Sequence, residues 1–255
     1  MATRGRLQNM VVLVTGAGQG VGRATAIRLA EEGARIAVNG RTAHPKINEV
    51  AEITGGMPVV ADISEPAQVA QMARVVEEKL GPIEVLVANA ARMTMKPFFE
   101  QDPQEWWDQI HINLGGHINC IHAVLPGMRR MGRGRIIIVG SKVGVIGWQN
   151  TTGYAASKSG LHCLGVALAR ELAPEGIVVN IVAPGTVDTP QQAVDAADAN
   201  LSLEQYYAIR SQIIPAGRIG QSEEIAATIA FLAGAGGPTF AGKILQPNGG
   251  EVRCQ

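Results

Sequence analysis

The sequence predicts an α/β protein built on a doubly wound parallel sheet with helices on both faces. Short runs rich in Val and Ile alternate with longer amphipathic stretches along most of the 255 residues. The runs are apolar throughout, which is typical of strands that are covered on both faces. Because no internal repeat, low-complexity tract or linker interrupts this alternation, we expect a single domain over 1–255.

The first element is an apolar run at 10–14, which predicts a buried strand. It leads into T-G-A-G-Q-G-V-G at 15–22, and an amphipathic helix follows. A strand, a glycine turn and a helix N-terminus form the context of a phosphate-binding loop, since glycines allow close backbone approach and the helix offers free N–H groups. The glycines Gly16, Gly20 and Gly22 fit neither G-x-G-x-x-G nor a Walker loop.

The remaining elements follow in order. Further strands are predicted at 35–39, 57–61, 84–88, 135–140, 178–182 and 243–246, with helices between them, notably 103–131, 152–173 and 222–232. The segment 189–215 breaks the alternation with alanines, polar residues and the pair Tyr206-Tyr207. We expect it to form a mobile helical lid over a site at the carboxyl edge of the sheet.

A candidate acid/base device lies in the helix predicted at 152–173. Tyr154 and Lys158 stand one helical turn apart, and Ser141 lies upstream at the end of a predicted strand. A phenol titrates near pH ~10. A neighbouring ammonium group would lower that pKa, and a serine hydroxyl could hold a substrate oxygen. On its own, the Tyr-x-x-x-Lys spacing is equally compatible with a surface pair on a helix.

Further motifs occur in a fixed order along the chain. They are Asp62-Ile63, Asn89-Ala90-Ala91, Asn113, Ser141, Tyr154 with Lys158, and Pro184-Gly185-Thr186-Val187-Asp188-Thr189. With the glycine turn, these residues resemble the short-chain dehydrogenase/reductase family over nearly the whole chain. The resemblance implies a Rossmann-like sheet of seven strands in the order 3-2-1-4-5-6-7. Two positions depart from the family pattern: Ala91 replaces a glycine, and Asn248 replaces an aspartate.

The resemblance implies an NAD(P)-dependent enzyme that interconverts a secondary alcohol and a ketone. Tyr154 would exchange the proton, Lys158 would lower its pKa and bind the nicotinamide ribose, Ser141 would position the substrate oxygen, and Asn113 would hold a water molecule. The cofactor would contact Gly16, Gln19, Gly20, Val21, Gly22, Arg41, Asp62, Ile63, Asn89, Ala90, Tyr154, Lys158, Pro184, Gly185, Val187 and Thr189. A redox-inactive dinucleotide sensor and an interaction protein on the same fold are the alternatives.

The end of the second strand favours NADP(H) over NAD(H). An acidic residue there usually binds the adenosine ribose of NAD. Here the strand ends in Asn39-Gly40-Arg41, and Arg41 could pair with the 2′-phosphate of NADP. Gln19 stands where many NADP-dependent relatives have a basic residue.

Loops after the fourth and fifth strands should form the substrate pocket. Met93, Val143, Ile146 and Trp148 are predicted to make an apolar wall, with Gln149 as a neutral hydrogen-bonding group. Arg92 is the one cation considered for an anionic substrate, and an arginine at a loop mouth more often faces water. We therefore expect a neutral, medium-sized ketone or alcohol, or a 3-oxoacyl derivative.

Composition limits the possible partners. The formal net charge is zero, so the sequence provides no electrostatic case for nucleic acid or membranes. Three cysteines without C-x-x-C spacing suggest reduced thiols in the cytoplasm, and no signal peptide is recognised. The histidines near Cys120 do not have metal-ligand spacing.

Because only 17% of residues are charged, we expect extensive interfaces and a homotetramer paired through the helices at 103–131 and 152–173.

Overall fold

The computed structural model describes residues 7–252, and its framework is one parallel sheet. The strand order is β3-β2-β1-β4-β5-β6-β7, which confirms the order that the resemblance implies. The strands are β1 Val11–Val14, β2 Arg35–Gly40, β3 Met57–Val60, β4 Val85–Ala88, β5 Gly134–Val139, β6 Ile177–Val182 and β7 Ile244–Leu245.

Helices connect successive strands. They are α1 Gly20–Glu31, α2 Pro45–Thr54, α3 Pro66–Leu80, α4 Pro103–Ile110, α5 Gly116–Met131, α6 Val143–Ile146, α7 Thr152–Leu172, α8 Pro190–Asp198, α9 Leu203–Ile213 and α10 Ser222–Ala233. The lid segment predicted at 189–215 contains α8 and α9. Among the described residues, no helix is long and apolar enough to cross a membrane.

The sheet is covered on both faces, which explains why its strands are continuously apolar. Alternate residues of β1 enter different cores: Val11 and Leu13 pack in one, and Val12 and Val14 pack in the other. Burial of each such side chain contributes about 1.5–3 kcal/mol to folding. The first core contacts helices α3, α5 and α7, and the second contacts α1, α2 and α10.

The helix predicted as one element at 103–131 has an irregular centre. A π-helical turn, His111–Gly115, lies between α4 and α5. Such turns shift the helix register and often occur at functional sites. Here the turn carries Asn113, whose buried side chain bonds to the backbone of Arg92 in the loop after β4.

The strand order places a cavity at the carboxyl edge of the sheet. The chain winds one way from β1 to β2 and β3, and the other way from β4 to β7. Crevices in doubly wound sheets form where the strand order reverses in this way. The cavity has a volume of about 1030 Å³ and is lined by the loops after β1, β2, β3, β4, β5 and β6.

Candidate active site

The glycine turn after β1 has the shape of a cradle for a phosphate group. Gly16 and Gly20 have positive φ angles of 63° and 53°. A Cβ atom at Gly22 would lie 2.3 Å from the carbonyl oxygen of Gly16, so no side chain fits there. Helix α1 begins at Gly20 without a side-chain cap and without an acidic residue in its first turn. Its free N–H groups and positive dipole end therefore suit a pyrophosphate.

Residues from neighbouring strands hold this turn in place. The Thr15 hydroxyl accepts hydrogen bonds from the backbone N–H groups of Asn89 and Ala90, at 2.9 and 3.1 Å. The Asn89 amide donates to the carbonyl oxygens of Thr15 and Gly16. Asn39 is buried and donates to the carbonyl oxygens of Val59 and Ala61, among others. Asn39 therefore ties β2 to β3, and its amide is already engaged.

The sequence analysis overlooked a second cation at the β2 end of the cavity. Arg41 lines the cavity there and is exposed, and its contact with the cofactor remains a prediction. Lys46, in the first turn of α2, also lines it, and its Nζ donates to Oε1 of Gln19 at 2.9 Å. A cationic side chain from α2 therefore lies beside position 19, although that position itself holds a glutamine.

The structure brings the predicted Ser141, Tyr154 and Lys158 to the middle of the cavity. Ser141 follows β5, and Tyr154 and Lys158 lie on α7. Nζ of Lys158 lies 5.5 Å from the centre of the Tyr154 ring and donates to the carbonyl oxygen of Val139 at 2.7 Å. The surface-pair alternative is therefore wrong, because Lys158 is 1% exposed.

The pKa values of Tyr154 and Lys158 differ from the expectation that Lys158 lowers the pKa of the tyrosine. Burial is the main reason that the pKa of Tyr154 rises to about 12, and the Ser141 hydroxyl opposes the rise. Burial also lowers the pKa of Lys158 to about 7. At neutral pH the phenol is therefore protonated and can donate a proton to a carbonyl oxygen.

His162 supports the loop that carries Ser141. It lies one turn after Lys158 on α7, and its Nε2 accepts a hydrogen bond from the backbone N–H of Ser141 at 3.4 Å. Gly140 and Gly144 pack against the ring, where a Cβ atom would lie 2.2 and 2.9 Å from it. The loop can wrap around the imidazole only because both positions are glycine.

Asn113 does not offer a free side-chain amide. Its Oδ1 accepts from the N–H of Arg92, and its Nδ2 donates to the carbonyl oxygen of Arg92 and to Oγ of Ser157. The side chain therefore fastens the loop after β4 to the π-helical turn and to α7. A water-holding role for this residue remains a prediction.

All of the predicted cofactor contacts lie along the same cavity, and Pro184, Gly185 and Thr189 line it on the β6 side. The residues that line it are Gly16, Gln19, Gly20, Val21, Gly22, Arg41, Asp62, Ile63, Asn89, Ala90, Tyr154, Lys158, Pro184, Gly185, Val187 and Thr189. The departures from the family pattern fit without conflict: Ala91 lines the cavity, and Asn248 caps its own turn.

The structure places only some residues of the predicted substrate wall in the cavity. Met93, Val143 and Trp148 line the cavity. Gln149 and Ile146 do not, because the turn at Gly147 (φ 66°) directs them to a shallow outer depression, and both are exposed. Arg92 lines the cavity but is held 3.5 Å from Asp108 and 3.6 Å from Glu105.

The sequence analysis missed a buried ionic cluster beside Trp148. Nζ of Lys142 bonds to Thr186 and to Glu251, and Nη2 of Arg210 bonds to the same two residues. The guanidinium of Arg210 lies 4.8 Å from the centre of the Trp148 ring. Burial lowers the pKa of Lys142 to about 8. A lysine directly after Ser141 in an otherwise apolar loop was the available sequence signal.

The doubly wound sheet, the glycine cradle and the Ser141–Tyr154–Lys158 constellation define an NAD(P)-dependent oxidoreductase acting on a CH–OH group. The family model for the short chain dehydrogenases matches residues 10–200. The chain belongs to the short-chain dehydrogenase/reductase family.

The chain is also similar to several curated proteins along nearly its whole length. FabG of Escherichia coli K12, a 3-oxoacyl-(acyl-carrier-protein) reductase, is 34% identical over 245 residues, or 95% of this chain and 97% of that protein. The reductase of the same name from Pseudomonas aeruginosa is 38% identical over 248 residues, covering 96% and 98%. That of Staphylococcus aureus Mu50 is 38% identical over 243 residues, covering 93% and 96%.

Proposed function

We propose that this enzyme reduces the ketone of a 3-oxoacyl derivative or of a comparable neutral, medium-sized compound. The observation that carries this proposal is a protonated Tyr154 beside Ser141 in the cavity, because ketone reduction requires a proton donor at the carbonyl oxygen. The names of the similar reductases favour a 3-oxoacyl group. The same constellation argues against a redox-inactive sensor or an interaction protein, neither of which needs it.

Each residue of the site would have a defined task. The cofactor, when bound, supplies the hydride. Tyr154 donates its proton to the substrate oxygen, and the Ser141 hydroxyl holds that oxygen in place. Lys158 places a cationic group beneath the tyrosine ring, and Asn113 fixes the loop that closes the β4 side. The direct test is turnover of NADPH and NADH with a panel of 3-oxoacyl esters and ketones; no turnover with any of them would contradict the proposal.

We expect NADPH to be the preferred cofactor. Arg41 and Lys46 both line the β2 end of the cavity, and a 2′-phosphate would gain charge-assisted hydrogen bonds from them. Arg41→Ala should lower kcat/KM for NADPH roughly 10-fold to 100-fold, the value of one such bond, and leave that for NADH nearly unchanged. Arg74→Ala, an exposed arginine on α3, is the matched control. A wild-type enzyme that prefers NADH would contradict the inference.

We also expect a homotetramer that pairs through α4, α5 and α7. Large apolar side chains on α4 and just before it are exposed to solvent: Phe98 is 60% exposed, Phe99 97% and Trp107 52%. Such patches favour burial against another subunit. Light scattering at micromolar concentration should give four times the 26.8 kDa chain mass. Phe99→Asp should reduce that mass, whereas Ile53→Asp on α2 should not; a wild-type monomer would contradict the proposal.

A cytoplasmic location is proposed from cysteine usage. Cys120 is buried and Cys163 is exposed, and both are free thiols, while Cys254 lies outside the described residues. Reduced thiols are typical of that compartment.

A further inference from the structure

The lid side of the cavity is polar, in contrast to the apolar wall formed by Met93, Val143 and Trp148. Asp195 and Gln192 of α8 and Arg210 of α9 all line the cavity. Asp195 is 5% exposed and Gln192 8%, and the side chain of Arg210 is 11% exposed. Asp195 lies near enough to the catalytic site for its charge to raise the pKa of Tyr154. Polar side chains of the lid therefore line the cavity within electrostatic reach of Tyr154.

Two of these side chains are hydrogen-bond acceptors with unused capacity. Oδ1 of Asp195 accepts from the Gln191 amide at 2.9 Å, and within residues 7–252 no hydrogen bond reaches its Oδ2. Oε1 of Gln192 is buried without a partner in the same described part of the chain. A ligand group that donates a hydrogen bond to such an acceptor therefore gains affinity over an analogue that cannot donate.

Arg210 is fixed in position with donors to spare. Its Nη2 donates to Thr186 at 2.9 Å and to Glu251 at 3.1 Å, and its Cζ lies 4.8 Å from the centre of the Trp148 ring. Its Nε is buried without a partner, and among the described residues no hydrogen bond is made by Nη1. The guanidinium is rigid and planar, so these anchors also fix the direction of the remaining N–H groups.

The formal charges of the four ionic groups on the lid side of the cavity balance. Lys142 and Arg210 have formal positive charges, and Glu251 and Asp195 have formal negative charges, so these four formal charges cancel. The region therefore has no excess charge to attract an anionic substrate, but it offers acceptors and donors side by side. A hydroxyl group can donate to a carboxylate and accept from a guanidinium at the same time.

From this arrangement we infer that the substrate carries hydroxyl groups on the carbons beyond its ketone, bound between Asp195 and Arg210. The inference rests on the proposed ketone reduction and specifies its substrate class. A plain alkyl chain would leave the acceptors of Asp195 and Gln192 without partners. A site built to bind a hydroxyl discriminates strongly against the analogue that lacks it.

The test compares matched ketones. Methyl ketones of five to seven carbons are measured against ketones of the same length that carry hydroxyl groups on the carbons beyond the carbonyl. The wild-type enzyme should show a kcat/KM at least about 10-fold higher for the hydroxylated member of a pair, the value of one hydrogen bond to a charged group. Equal values across all pairs would overturn the inference.

The variant Asp195→Asn distinguishes a role of Asp195 in recognising the substrate hydroxyl from a purely structural role. If the asparagine keeps its oxygen toward Gln191, it presents an N–H donor where the carboxylate was an acceptor. The ratio of kcat/KM for the hydroxylated ketone to kcat/KM for the matched alkyl ketone should then fall roughly 10-fold to 100-fold. Asp198→Asn removes the same charge from an exposed position on the same helix and should leave the preference intact. An equal loss for both kinds of ketone in Asp195→Asn would overturn the inference.

A second variant keeps the inference testable if Asp195→Asn does not fold. Gln192→Leu removes the unpartnered acceptor without touching the ionic cluster, and it should lower the preference in the same direction. If no ketone gives turnover that depends on Tyr154, the proposed function itself fails, and the present inference fails with it. If alkyl and hydroxylated ketones are reduced equally well, only the present inference fails.

Discussion

Tyr154→Phe is expected to lower kcat by roughly two to four orders of magnitude, the contribution of one general acid. The phenol lies within hydrogen-bonding reach of Ser141, and burial raises its pKa to about 12, so it is protonated at neutral pH. Removal of its hydroxyl should leave most of the cofactor binding intact, because the variant does not alter the glycine turn from Gly16 to Gly22. Steady-state turnover of NADPH with a reducible ketone measures the loss, and fluorescence titration of NADPH measures binding.

The matched control for this variant is Tyr207→Phe. Tyr207 lies on the lid helix α9, and its hydroxyl donates to Asp188 at 2.6 Å, so the change also deletes a hydrogen-bonding phenol. Turnover in Tyr207→Phe should stay within a few-fold of wild type. Tyr154→Phe should also unfold near the wild-type temperature, since a phenol is replaced by an isosteric apolar ring. Near-normal turnover in Tyr154→Phe would rule out its role as the acid.

The fold could be predicted because its main signals are local. The apolar runs of β1, β4, β5 and β6 each occupy a few consecutive residues, and every one of them is buried on both faces. The strand order came from the family resemblance, since a periodic pattern carries no information on which strands pair. The π-helical turn at 111–115 was not foreseen, because one extra residue per turn hardly changes helical periodicity.

The site was predictable where its chemistry lies in short motifs, and was missed where contacts join distant residues. Ser141, Tyr154 and Lys158 were found from their spacing. Lys142 and Glu251 are 109 positions apart, so nothing in either neighbourhood reveals that they meet. Arg210 joins them from the lid, so the cavity has a charged side opposite the predicted apolar wall that local sequence patterns do not reveal. Two charged residues that pair in a fold look in sequence like two ordinary surface residues.

Lys158→Met should separate activity from stability. Lys158 is 1% exposed, and its amine donates to the carbonyl oxygen of Val139. Burial of an ammonium group is costly, as its lowered pKa of about 7 indicates. Methionine has a similar volume and no charge, so the variant should be as stable as wild type or more stable. Turnover should nevertheless fall by roughly two orders of magnitude or more, because the cation beside the Tyr154 phenol is lost.

The pH dependence of unfolding provides a sharper test of the same variant. The pKa of Lys158 is about 7 in the folded protein, whereas the ordinary pKa of a lysine is 10.5. Between these pH values the unfolded chain binds more protons than the folded one, so the Lys158 contribution makes wild-type stability rise with pH. The stability advantage of Lys158→Met over wild type should therefore be largest at pH 7 and below, and should shrink as the pH approaches 10.5. Denaturant unfolding of both proteins across this range measures the difference, with Lys243→Met as the control at an exposed lysine. A constant difference at all pH values would mean that the folded state does not depress the Lys158 pKa.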